Sequence, residues 1–137
     1  MENEELFKRK KQLAFTLKKM EERMRVISYL YQKLLNTELK INVDYLNSEE
    51  INIIKKIIIS LPNIETLLLN FIDEEKWSQT FPLIKAILIY GIFEMQNNET
   101  NIVINEMVNI TKIYAPGNDY KFVNAVLDNI AKNLIKK

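Results

Sequence analysis

Two glycines and three prolines punctuate 137 residues. Tight hairpins and sandwich turns lean on those residues, because Gly supplies positive φ and Pro presets φ near −65°. A chain this poor in turn-makers has little means of building a sheet. Its apolar residues recur every three or four positions and do not alternate, which is the helical period. The fold class is therefore all-α. The length fits one domain, 1–137, and an apolar fraction of 47% is enough to fill a core.

Six helices are expected. The first runs from about Glu4 to Asn36 without a breaker. Leu13, Leu17, Met20, Met24, Ile27, Tyr31 and Leu34 mark a heptad seam along it. Such a stripe normally faces the core, and pairing with another chain, including a second copy, is the sharper alternative. A polar loop near Thr37 to Asn47 leads to a second helix capped by Ser48, with Glu49 and Glu50 in its first turn. Pro62 is expected to end that helix, since proline disfavours helical geometry in the preceding residue. A third spans Asn63 to Ile72, and "DEEKWSQ" reads as a hinge between an N-terminal half, 1–75, and a C-terminal half, 76–137. Pro82 opens a fourth helix, apolar nearly all round and so central, in which Gly91 permits close packing. A fifth covers Ile102 to Tyr114. After Pro116-Gly117-Asn118, Asp119 caps the sixth.

The chain has no cysteine and no histidine. Disulfides, thiolate nucleophiles, imidazole bases and the commonest metal ligands are all missing. The paired carboxylates Glu49/Glu50 and Glu74/Glu75 point different ways on a helix, as adjacent residues do. No glycine-rich phosphate loop or calcium-loop spacing occurs. The expectation is a non-enzyme with no catalytic residue, metal site or cofactor. No apolar run follows a basic start, and none approaches membrane-spanning length, so a cytoplasmic location without membrane attachment is expected.

Charge is unevenly spread. Residues 1–25 carry eight Lys/Arg against five Glu, a net +3. Residues 26–111 carry six Lys against eleven acids, a net −5, and residues 112–137 five Lys against two Asp, a net +3. Basic ends suit a polyanion and an acidic middle suits a basic partner, although solvated helix faces explain the same numbers. Lys8, Arg9, Lys10 and Lys11 form a run suited to phosphates, with Arg23 and Arg25 further along. Lys121 and Phe122 open the sixth helix, where exposed N–H groups attract phosphate and an aromatic ring can stack on an unpaired base. Phe122 also shares a face with Val126 and Ile130, the pattern of a core residue.

The stretch "IVINEMVNITKIYAPGNDYKFVNAVLDNIA", Ile102 to Ala131, resembles the C-terminal signature of the NusB family. "INE" at Ile104 to Glu106 and "KFVN" at Lys121 to Asn124 carry the likeness. "KAILIYGIFEM" is similar to the family's central helix, and "RMRVISYLYQ" to its arginine-bearing first helix ending in "LYQ". With that ending aligned, the basic motif reduces to Arg23 and Arg25 and residues 1–20 are an extension. With "KRKKQLAF" aligned, Lys8 to Lys11 stand for the motif. The family's loop aspartate falls on Asn118. The resemblance implies two packed helical bundles of about three helices each. It implies an RNA-binding transcription antitermination factor, acting on boxA-like single-stranded RNA of ribosomal-RNA operons. The small-subunit ribosomal protein NusE and the RNA polymerase antitermination complex are the implied partners. The RNA-facing set is Lys8 to Lys11, Arg23, Arg25, Asn118, Lys121 and Phe122. The protein-facing set is Tyr31, Glu94, Glu99 and Glu106.

Overall fold

The computed structural model describes residues 2–35 and 41–135. They form α1 (Glu2–Leu35), α2 (Ser48–Leu69), α3 (Glu74–Gln79), α4 (Pro82–Met95), α5 (Thr100–Tyr114) and α6 (Asp119–Ile135), with no strand among them. The expected end of the first helix at Asn36, and the loop's first residues from Thr37, lie outside the described residues.

α4 is the hub. Ten of its fourteen residues are buried, so no face is left for solvent, and α1, α2, α5 and α6 all pack on it. Ile87, Leu88 and Ile89 are at most 1% exposed, each on a different side of the helix. Gly91 lets α5 and α6 approach. A Cβ there would stand 3.0 Å from Met107 Cγ and 3.3 Å from Leu127 Cδ1. α5 and α6 form a hairpin around Pro116-Gly117-Asn118, with Gly117 at φ 76°, a region open to glycine without steric cost.

The structure corrects four expectations. α2 does not stop at Pro62 but runs on to Leu69, absorbing most of the expected third helix. An interior proline costs roughly 3 kcal/mol. Burying Ile64 and Leu68 beyond it returns about 1.5–3 kcal/mol each, which keeps the helix going. Pro62 itself lies on the solvent side. The expected hinge is largely a helix, α3, whose N-cap Asp73 accepts from Lys76 N at 2.7 Å. The cap of α2 is Asn47, one residue before Ser48, in a reciprocal box with Glu50. Asp119 is the first residue within α6, and Lys121 N donates to Asn118 O at 2.9 Å.

The seam of α1 divides in two. From Met20 on it packs into the molecule, with Val26, Ile27 and Leu30 buried. Residues 3–19 are exposed on every side, including Leu13 at 58% and Leu17 at 50%. At 1.5 Å per residue this arm reaches about 25 Å beyond the body.

Candidate nucleic-acid interface

The start of α6 presents the two residues singled out by the sequence on different surfaces. Consecutive helical side chains diverge by about 100°. Lys121 is exposed and borders a groove between α5 and α6. Phe122 is half-buried, its inner edge against the core, and Lys76 of α3 lies over its ring at 5.2 Å. The ring thus serves the core and still has a face shared with a mobile type of cation. Two similar pairs occur elsewhere in the fold: Lys85 over Trp77 at 5.1 Å, and Lys112 over Tyr120 at 4.9 Å. Such pairs contribute about 0.5–1 kcal/mol at exposed sites, little enough for a phosphate to draw the lysine away. Asn118 is exposed in the turn leading into α6.

On α1, Lys8, Arg9, Lys10 and Lys11 all lie on the exposed arm. Arg9 meets Glu5 at 3.4 Å and Lys11 lies 5.5 Å over Phe7, contacts within the arm's own surface that water screens. The nearest partly buried seam residue, Met20, is nine positions beyond Lys11, about 14 Å along the axis.

Arg23 and Arg25 are placed otherwise. The sequence assigns Arg23 to RNA and Glu94 to a protein partner, and the structure joins them to each other. Arg23 Nε donates to both Glu94 oxygens at 2.9 and 3.2 Å, and its Nη1 lies 3.8 Å from Glu106 Oε2. Both side chains are largely shielded, 12% and 8% exposed. Glu94 therefore presents no free carboxylate at the surface. Arg25 reaches Glu50 through Nε at 3.0 Å and Nη2 at 2.7 Å. The guanidinium holds the Glu50 carboxyl below its ordinary value of 4.5, against burial and with help from the Asn47 N–H. The hydrogen bond to Glu50 in turn raises Arg25. These pairs bolt α1 to α4, α5 and α2.

The remaining protein-facing candidates are scattered. Tyr31 is half-buried beside a small apolar pocket of about 240 Å³, which Phe81, Pro82 and Tyr114 also line. Glu99 is exposed just before α5, and Glu106 is half-buried at the edge of the Arg23 pair. The described residues hold no cluster of His, Cys, Asp or Glu suited to a metal ion, and no helix long and apolar enough to cross a membrane.

The NusB family model matches residues 8–132, nearly the whole chain and including the basic run of the arm. The chain belongs to the NusB family. The NusB assignment is supported by the transcription antitermination protein NusB of Campylobacter jejuni subsp. doylei, 32% identical over 122 residues, covering 80% of this chain and 92% of that protein. The NusB of Helicobacter pylori strain Shi470 is 44% identical over a shorter stretch of 55 residues, 39% of this chain and 40% of that one. The solved structure of T. maritima NusB superposes with a TM-score of 0.70 at 21% identity, covering 82% of this chain and 89% of that one, which shows the shared NusB fold.

The sequence reading passed over Lys76, Trp77, Lys112 and Tyr120. Their signal was weak, because a lone lysine or ring, or one adjacent pair such as Lys76-Trp77, forms no recognisable pattern. Only the packing of the helices sets Lys76 over Phe122, Lys112 and Tyr120 beside Lys121, and Lys85 over Trp77.

Proposed function

We propose that this NusB-family protein is a transcription antitermination factor that binds boxA-like single-stranded RNA of ribosomal-RNA operons together with the small-subunit ribosomal protein NusE, within the RNA polymerase antitermination complex of the cytoplasm. It acts by binding and catalyses no reaction. The observation that carries the reading is the first turn of α6, where exposed Lys121 adjoins Phe122, a ring with one side in the core and the other under a cation. A phosphate draws the lysines, and the uncovered ring offers a stacking platform. The Lys8 to Lys11 run adds sequence-independent attraction from the arm, and Asn118 borders the path between loop and helix. Arg23 and Arg25 support this surface by fixing α1 in place. Tyr31, Glu99 and Glu106 are the candidates for the protein side.

Fluorescence anisotropy with a boxA-like and a scrambled RNA, at two salt concentrations and with and without NusE, tests this. The expected result is tighter binding of the boxA-like RNA, strengthened by NusE and weakened steeply by salt. Lys121→Ala and Phe122→Ala each reduce affinity while the protein stays folded. Equal, weak binding of both RNAs overturns the antitermination reading. In that event a protein-interaction module is the second reading, favoured by the exposed Leu13 and Leu17 of the arm, which leave a seam open to a second copy.

A further inference from the structure

Between α5 and α6 runs an open groove of about 490 Å³. Its chemistry is ordered along its length, because the two helices are antiparallel about the Pro116 to Asn118 turn. At the turn end stand Lys112, Lys121 and the ring of Tyr120. The middle has an apolar floor in Val108, flanked by the amides of Asn105 and Asn124. Both amides are exposed, and neither takes part in a side-chain hydrogen bond among the described residues. The nearby bonds of this kind are Thr111 to Met107 and Asn133 to Asn129. At the far end Asp128 is held by Lys132 at 2.9 Å.

We propose that this groove receives one unpaired nucleotide of the bound RNA, with its phosphate at Lys112 and Lys121 and its base between the Asn105 and Asn124 amides. The inference rests on the RNA-binding reading and adds to it a site for base recognition. Each amide offers two N–H donors and a carbonyl acceptor, the groups that read the edge of a splayed base. Val108 and Tyr120 supply the apolar and aromatic contact that a base face requires. Lys112 covers the Tyr120 ring in the free protein and moves to the phosphate when the base arrives, as Lys76 does for Phe122 on the other side of the same turn. A strand crossing the first turn of α6 therefore meets a ring on each side of Lys121. Lysines alone attract any RNA. The amides give the protein a preference among bases.

The test uses the full chain, a boxA-like RNA and the same RNA carrying 5-iodouridine at single positions. Trypsin cuts after Lys121, so photo-crosslinks to Tyr120 and to Phe122 fall on different peptides. A crosslink on the peptide ending in Tyr120-Lys121 is expected. Asn105→Ala/Asn124→Ala should bind about ten-fold more weakly, the low end of what one base contact contributes. Its salt dependence and melting temperature should match the parent's, and its preference over the scrambled RNA should shrink. Parent-like affinity with crosslinks confined to the Phe122 peptide or the arm overturns the groove while leaving RNA binding intact. Loss of NusE affinity with RNA affinity unchanged overturns it too, by giving the groove to a protein. Absence of RNA binding by the parent chain removes both readings.

Discussion

At the scale of single residues, the charges that matter most are the ones taken out of water. Glu50 is 1% exposed and depends on Arg25 and the Asn47 N–H for its ionised form. Its folded-state value is lowered from 4.5, so the stabilisation is complete above the ordinary glutamate range and fades as pH falls through the lowered value. Acid should therefore destabilise the protein progressively below about pH 4.5. Glu50→Gln should cost about 1–3 kcal/mol at pH 7, because Arg25 is 32% exposed and water screens part of the pair. It should also flatten the acid limb of a plot of melting temperature against pH, and an unchanged limb would show that Glu50 is not the group responsible. The sequence set Arg23 and Arg25 among the RNA-facing candidates and Glu94 among the protein-facing ones. It gave no sign that Arg23 and Glu94 meet, because 71 residues separate them and no local pattern reports such a pairing.

At the scale of elements, α1 combines two helices' worth of behaviour in one continuous rod. Its second half is held by burial of Val26, Ile27 and Leu30, and its first half only by its own backbone bonds and local pairs. Stretches of this length are marginal helices in isolation, so the arm draws its helicity from continuity with the docked half. Deleting residues 1–19 should leave the melting temperature nearly unchanged, since no buried contact is lost, while RNA affinity and its salt dependence both fall with the removal of Lys8 to Lys11. Sedimentation before and after deletion reads the seam. A dimer that becomes a monomer assigns Leu13 and Leu17 to self-association, and a monomer throughout rules it out. The heptad pattern was legible in the sequence, but which part of it would be covered was not. Periodicity gives a face without giving its partner. Pro62 teaches the converse, since a local rule gave way to the burial of Ile64 and Leu68.

For the whole molecule, the question is whether the two halves proposed for 1–75 and 76–137 behave as one unit. α4 supplies the answer to be tested, because its buried residues join a contiguous core that includes Ile57 and Leu68 of α2 and Leu127 and Ile130 of α6. Ile89→Ala should destabilise the protein by about 2–5 kcal/mol. It should also shift the far-ultraviolet transition and the fluorescence transition of Trp77, the single tryptophan, together. Two separated transitions would show that the halves unfold independently.

The sequence by itself determined the all-α class, the central position of α4, the turn before α6, and the resemblance borne by "INE" and "KFVN". These rest on spacings of three or four residues and on the stereochemistry of Gly and Pro, which act within one turn of chain. Tertiary structure alone decided that Arg23 would neutralise Glu94, that the arm would stand free, and that Lys112, Tyr120 and Asn124 would line one groove. Those outcomes depend on which helix faces meet when the core excludes water, and that choice is made by the whole chain at once.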